Sequence, residues 1–379
     1  QKLFKFMTDK KIKISKTNIE VYPIGQGTLF GRILDKTKID DIFKKKISSL
    51  EYGIELGMNY LDTGEDYEDG LSEELLSKII CNKRDKVVVG SKFIPSNNSY
   101  NNVISACESS LKRLKTDYID IYMTHWPNPN IPLEETINAL SYLVKQGKIR
   151  CFGVGNFDVP QLSKVVKYDI SNKFSVLQTE YDLFNRQVED EIFDFNKINK
   201  ITTLAYMSLG KDLFTDVERQ LLDKLSLKYK KSIRSIVLNW IASHQDTLVL
   251  TSSMQEKHTL ENYNSLSFDL LSDDVNVINN TFKRSTIKIA PNKIKVNDFD
   301  ESDTAHKIYT TIEEAINNKL DIQPSAVEIS EEIKKDGRLL RPVELKKNPD
   351  LNSNQPYLLV RGRMRYWGWV IAYGFEKEI

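Results

Sequence analysis

Short apolar runs alternate along the first three quarters of the chain with longer stretches whose apolar residues recur every three to four positions. The short runs are VYPIG (Val21 to Gly25), NYLD (Asn59 to Asp62), KVVVGSK (Lys86 to Lys92), YIDIYMTH (Tyr118 to His125), IRCFGVGN (Ile149 to Asn156), SVLQTEY (Ser175 to Tyr181), TTLAYMS (Thr202 to Ser208) and TLVLTSS (Thr247 to Ser253). Runs of this length, rich in β-branched and aromatic residues, read as buried strands, and the three-to-four spacing reads as amphipathic helix. Helical patterns such as IDDIFKKKISSLEYGIELG, SEELLSKIICNK, NVISACESSLKRL and LEETINALSYLVKQG lie between them. Strand and helix units repeated eight times over roughly 250 residues predict an α/β fold of the (β/α)8 TIM-barrel type. Ahead of the first run, KIKISKTNIEV alternates as a hairpin would and is placed to close the barrel's bottom.

The alternation is exhausted near Ser285, where IKIAPNKIKV opens a different β-type segment. We therefore expect residues 1–285 to form the barrel and residues 286–379 a second, small α/β domain, with its own signals in EEAINN, SAVEISEEIKKDG, RPVEL and YLLVRGRMRYWGWVIAYG. The length of 379 residues suits one large domain plus a smaller one.

Charge and cysteines narrow the function classes. With 54 Lys and Arg against 53 Asp and Glu, the net charge of +1 offers no bulk field to gather nucleic acid or anionic membrane. Cys81, Cys107 and Cys151 are isolated, with no CxxC and no ligand-spaced His, so no metal site is expected and the setting reads as reducing and cytoplasmic. No run reaches the roughly 18 apolar residues of a membrane span, and QKLFKFMTDKK lacks the apolar stretch of a secretory signal.

In a TIM barrel the catalytic side chains stand at the carboxyl ends of several strands. There the sequence places Asp62 with Tyr67 in the following loop, then Lys92, His125, Asn156, Gln178 with Tyr181, and Tyr206. Singly, each has a plain structural reading: Asp62 as a helix cap, Lys92 as a surface charge, His125 as a buried polar group. Together, a Tyr, a Lys, an Asp and a His at one mouth suit protonation of a carbonyl oxygen while hydride arrives at carbon. A phenol with an ordinary pKa near 10 is a weak acid at neutral pH. The Lys92 ammonium is expected to lower that value, Asp62 to hold the ammonium charged, His125 to donate to the carbonyl oxygen, and Trp126 to wall the substrate.

The segments LDTGEDYEDGLSEELL, GSKF, THWP, GVGNF, LQTEYDL and AYMSLGKDLF, in this order and spacing, resemble the aldo-keto reductase family over about Lys11 to Ser285. The resemblance implies a carbonyl reductase with the catalytic tetrad Asp62, Tyr67, Lys92 and His125. It implies NADP as cofactor, with NAD as the alternative, its carboxamide held by Asn156 and Gln178 and its nicotinamide ring stacked on Tyr206. Gly27, Thr28, Asp62, Ser208, Leu209 and Gly210 complete the implied cofactor contacts, and Phe30 joins Trp126 against the substrate, a small and sugar-like or otherwise polar carbonyl metabolite. Two departures stand out. Gly155 takes the place of a Ser that usually precedes the Asn, which removes a hydrogen bond near the carboxamide. In LTSSMQEKHTLEN, Ser252 stands at an expected Lys, Ser253 at its Ser, and His258 at an expected Arg, with Glu261 and Asn262 at the adenine contacts. Two cations for a 2′-phosphate are thus missing, and Lys257 and His258 compensate only in part.

The C-terminal segments resemble the ParB/sulfiredoxin-like fold, which implies a nucleotide-phosphate site at Gly362, Arg363 and Arg365; the alternative is a docking or dimerisation module whose RYWGW cluster is core. No helix-turn-helix follows, so DNA binding is not expected. Alongside the reductase, two rivals remain open: a non-catalytic cofactor-sensing scaffold, and a bifunctional enzyme whose small domain binds nucleotide or transfers phosphate. A small-molecule carbonyl substrate, a nucleotide at the C-terminal domain and self-association are the partners considered.

Overall fold

A computed structural model describes residues 10–29, 39–209, 214–283, 287–296, 309–318, 324–339, 342–350 and 353–379. The chain separates into two compact units, Gln1–Arg284 and Ser285–Ile379.

The first unit runs β1 (Ile12–Lys13), β2 (Glu20–Val21), β3 (Ile24–Gly27), α1 (Ile39–Leu56), β4 (Tyr60–Asp62), α2 (Leu71–Ile80), β5 (Val88–Phe93), α3 (Tyr100–Leu114), β6 (Ile119–Thr124) and α4 (Leu133–Lys145). It continues with β7 (Ile149–Gly155), α5 (Val159–Tyr168), β8 (Phe174–Glu180), α6 (Ile192–Asn199), β9 (Thr202–Tyr206), α7 (Asp216–Tyr229), α8 (Ile233–Ala242), β10 (Thr247–Thr251), α9 (Glu256–Asn264) and α10 (Ser272–Thr281). Strands β3 to β10 close into a parallel barrel, β10 pairing with β3. Both faces of each strand are covered, which is why the runs are continuously apolar rather than alternating.

Helix starts follow local chemistry. Asp158 with Gln161, and Thr215 with Glu218, form reciprocal capping boxes that satisfy the first free N–H groups of α5 and α7. The sequence run beginning at Val21 splits at Pro23, which has no N–H to give a ladder. Val21 belongs to the antiparallel β1–β2 hairpin, and the barrel strand begins at Ile24. Ile14, Ile19 and Val21 of the hairpin pack with Val88, Ile121, Cys151, Val176, Leu204 and Leu248 inside the barrel's lower end. Burial pushes the Cys107 and Cys151 thiols up to about 12, so both behave as small core residues.

The second unit holds β11 (Ile294–Lys295), α11 (Ile312–Asn317), α12 (Ala326–Asp336), β12 (Glu344–Lys347), β13 (Tyr357–Arg361) and α13 (Arg363–Tyr373). β13 is central, parallel to β11 and antiparallel to β12. Ile294, Tyr309, Ala326, Leu359, Tyr366 and Trp367 form its core, and Trp367 Nε1 donates to the Tyr309 carbonyl at 2.9 Å. Gly368 lets α12 and α13 approach, since a Cβ there would lie 2.6 Å from Ile329 Cγ2. Among the described residues no helix is long and apolar enough to cross a membrane.

Candidate active site

Asp62, Lys92 and His125 stand at the ends of β4, β5 and β6, and Tyr67 follows β4. Asp62 is the hub. Lys92 Nζ donates to its Oδ2 at 2.6 Å and to the Thr63 carbonyl at 2.6 Å, with both side chains buried. Tyr60 Oη and Gln178 Nε2 donate to Asp62 Oδ1 at 3.2 and 3.1 Å. Tyr60 was not anticipated, yet two glycines make its slot: a Cβ at Gly25 would lie 2.6 Å from the Tyr60 ring, and one at Gly90 would lie 2.2 Å from Tyr60 Oη.

Tyr67 sits with its ring centre 4.7 Å from Lys92 Nζ and edge-on to His125, centroids 5.8 Å apart. The expectation that Lys92 lowers the phenol's pKa is corrected. Burial first, then the Asp62 and Asp66 carboxylates, push Tyr67 well above its ordinary value, because the ammonium's charge is already taken up by Asp62. Directly after Tyr67, Glu68 and Asp69 adopt left-handed backbone at φ 49° and 56°. Ser72 Oγ donates to Glu68 Oε2 and ties this turn to α2.

His125 Nδ1 lies 3.0 Å from Asp66 Oδ2, a second partner missed in the sequence. Burial works to raise the Asp66 carboxyl, but the His125 hydrogen bond and charge, with Lys92, hold it below its usual value. The bond engages Nδ1 and so restrains the imidazole ring.

Past β7, Asn156 has φ 67°, a conformation Asn tolerates better than most residues. Its Nδ2 donates to the His125 carbonyl at 3.0 Å, and Tyr206 Oη donates to its Oδ1 at 2.8 Å. Asn156, Gln178 and Tyr206 thus adjoin the tetrad. Gly155 is required by packing: a Cβ there would lie 2.4 Å from the His125 carbonyl oxygen and 2.9 Å from that of Thr124. Thr28 N and Oγ1 both donate to the Asp62 carbonyl, at 2.8 and 3.1 Å, and Gly27 ends β3 beside them. Ser208 is buried, its hydroxyl donating to the Ala205 carbonyl, and Leu209 follows it. Trp126 is half-buried beside His125. Phe30 and Gly210 lie outside the described residues.

After β10, Ser252 and Lys257 are exposed and Ser253 and His258 half-buried. Glu261 accepts from Ser232 Oγ, and Asn262 is 1% exposed, its Oδ1 without a hydrogen-bond partner among the described residues. Sequence order does not show Lys46 of α1 arriving here: its ammonium donates to Ser252 Oγ at 2.7 Å and to the Ser253 carbonyl at 3.2 Å. Gly362, Arg363 and Arg365 lie in the second unit, where Gly362 caps α13 with φ 86°. Among the described residues no group of His, Cys, Asp and Glu is placed to hold a metal.

Residues 23–282 match the Aldo/keto reductase family. The chain is 29% identical over 280 residues to methylglyoxal reductase YeaE of Escherichia coli (strain K12), covering 73% of this chain and 96% of that one. It is 36% identical over 221 residues to aldo-keto reductase YhdN of Bacillus subtilis (strain 168), covering 55% and 62%. Among solved structures, it is similar to an aldo/keto reductase from Klebsiella pneumoniae in complex with NADP and acetate, with TM-score 0.65, 26% identity, and coverage of 72% of this chain and 96% of that one.

Proposed function

The chain belongs to the aldo/keto reductase family, and on that premise we propose that Tyr67 protonates the carbonyl oxygen of a small aldehyde or ketone at the barrel mouth. The activity itself is NAD(P)H-dependent reduction of small carbonyl metabolites, with NADP as cofactor. The observation that carries the assignment of roles is the single cluster formed by Asp62, Tyr67, Lys92 and His125. Similarity to a methylglyoxal reductase supports a short, polar carbonyl such as a 2-oxoaldehyde as substrate.

The residues present fit a nicotinamide. Asn156 and Gln178 offer amide groups for its carboxamide, and Tyr206 offers a ring to stack on it. When bound, the reduced cofactor supplies the hydride. The chain's own residues then manage the proton. Tyr67 is held as a phenol at neutral pH by burial and by two carboxylates, so the proton to be given is in place. As the carbonyl oxygen gains charge, Tyr67 Oη passes its proton to it and the Lys92 ammonium, 4.7 Å from the ring, stabilises the phenolate left behind. His125, fixed by Asp66, donates a hydrogen bond to the same oxygen and orients it. Solvent at the mouth returns the proton to Tyr67. A panel of small carbonyls followed at the reduced-nicotinamide absorbance tests the reading; no turnover on any of them would favour the scaffold.

For residues 286–379 we propose the ParB/sulfiredoxin-like fold with a nucleotide phosphate at Gly362, Arg363 and Arg365. Two arginines stand in the first turn of α13, where guanidinium groups and helix N–H groups together suit an anion. Arg365 folds back over Gly362, its Nη2 2.9 Å from where a Cβ would stand. Arg365→Ala in the full chain should weaken ATP or CTP binding while carbonyl reduction persists; unchanged nucleotide binding would favour a docking module. Three free thiols support a reducing, cytoplasmic setting. Self-association is tested by sedimentation.

A further inference from the structure

Lys46 is among the largest fully buried side chains of the chain. An ammonium taken out of water is costly unless an anion answers it. Among the described residues Lys46 forms no ion pair. Its two hydrogen-bond partners, Ser252 Oγ at 2.7 Å and the Ser253 carbonyl at 3.2 Å, are both neutral. Among the described residues, one of its three N–H groups is left over.

Its position gives the missing anion a place. Ser252 follows β10, the eighth barrel strand, and the nine-residue α9 begins at Glu256. The loop after the last barrel strands and a helix N-terminus beside it is where this architecture commonly receives phosphate. α1 is fastened to α9 by the Ser49 to Thr259 hydroxyl contact at 2.7 Å and by Ser48 donating to Glu256, which holds Lys46 in register beneath the loop. Because Ser252 Oγ accepts from Lys46, its own proton is free to donate, and it now points to the Leu29 carbonyl at 3.0 Å. Ser252 is exposed and Lys46 is not, so an anion bound to that hydroxyl would have the ammonium directly behind it.

We propose that Lys46 is the cation that reads the 2′-phosphate of NADP(H), acting from under Ser252. It supplies from α1 a charge that the strand itself lacks at Ser252. The phosphate would draw the Ser252 proton away from Leu29, take the spare N–H field of Lys46, and give the buried ammonium its counter-charge. NADH, with a hydroxyl at that position, would bring no such counter-charge to Lys46. This rests on the reading that the barrel binds NAD(P)H.

The test is calorimetric titration of the full chain with NADPH, NADH, adenosine 2′,5′-bisphosphate and 5′-AMP. Lys46→Met and Lys46→Gln should each weaken NADPH and the bisphosphate by roughly ten- to a hundredfold, the scale of one charged hydrogen bond. NADH and 5′-AMP should change by less than about twofold on that scale. The double change Lys46→Met with Ser252→Lys should restore the preference for NADPH. Equal losses for NADPH and NADH would make Lys46 a structural staple and overturn the proposal, as would no loss for either. Unmodified protein that binds neither dinucleotide would instead overturn the reductase reading itself, before Lys46 is in question.

Discussion

Lys92 Nζ lies 4.7 Å from the centre of the Tyr67 ring, and the phenol is nevertheless harder to ionise than in water. The ammonium is spent on Asp62 and the Thr63 carbonyl, so what Tyr67 feels most, after its burial, is carboxylate. On the proposed reading, the site keeps the phenol protonated and stabilises loss of its proton only as the reaction draws it out.

Tyr67→Phe removes the proposed donor with little change of shape. Turnover should fall by roughly 10² to 10⁴ with cofactor affinity nearly unchanged. Steady-state rates and NADPH titration on the same preparation decide it, and a near-normal rate would remove the assignment.

Asp62 raises the Tyr67 pKa, so its removal acts in the opposite direction. Asp62→Asn should bring the Tyr67 titration down, read as tyrosinate absorbance against an Asp62→Asn, Tyr67→Phe double variant. Reduction should also slow, because Lys92 loses its anchor. An unmoved or raised phenol titration would show that burial alone sets the value.

Gly155→Ser tests whether a serine can be restored before Asn156. Its Cβ would meet the His125 and Thr124 carbonyl oxygens at 2.4 and 2.9 Å, so strands β6 and β7 must separate. We expect a loss of stability of about 1 to 3 kcal/mol, the usual range for overpacking, and weaker cofactor binding. Denaturant unfolding and NADPH titration check it; a stable variant with tighter binding would contradict it.

Burial pushes Lys46 down to about 7, with the Glu68 charge working against the shift. Its folded pKa lies below its unfolded value of 10.5, so between these limits the unfolded chain holds a proton that the fold does not, and stability rises with pH. Below about 7 both states are protonated and the cost of burying the charge is fully present. Lys46→Met should therefore stabilise the cofactor-free protein most near pH 6, and the advantage should shrink by pH 9. Binding of NADPH near pH 8 should take up more protons than binding of NADH, seen as a buffer-dependent heat. A pH-independent difference between the two proteins would contradict this.

The strands and the convergence of Asp62, Tyr67, Lys92 and His125 were legible because both are local: each strand is a continuous apolar run, and each of these four residues sits within a few positions of a strand end. The first run misled at Val21, since Pro23 divides hairpin from barrel strand inside one apolar stretch. Tyr60 beneath Asp62 was illegible because it depends on glycines 25 and 90 packing against it from two other strands. Lys46 lies 206 residues from Ser252, so nothing local in the sequence brings the two together. The direction of the Tyr67 shift also needed the geometry, because Lys92 can answer only one neighbour fully, and which one is a matter of ångströms.

Glu68 and Asp69, the left-handed pair after Tyr67, carry a consequence for engineering. A side chain in that backbone region costs roughly 1 to 2 kcal/mol relative to the right-handed form, and glycine escapes the penalty. A search for heat-resistant variants should therefore find Glu68→Gly and Asp69→Gly early. Both follow the proposed proton donor directly, so a change of backbone there acts on the loop that carries Tyr67. Selection by melting temperature alone would loosen the turn that follows the proposed proton donor, so thermal gain and catalytic rate must be scored together at these two positions.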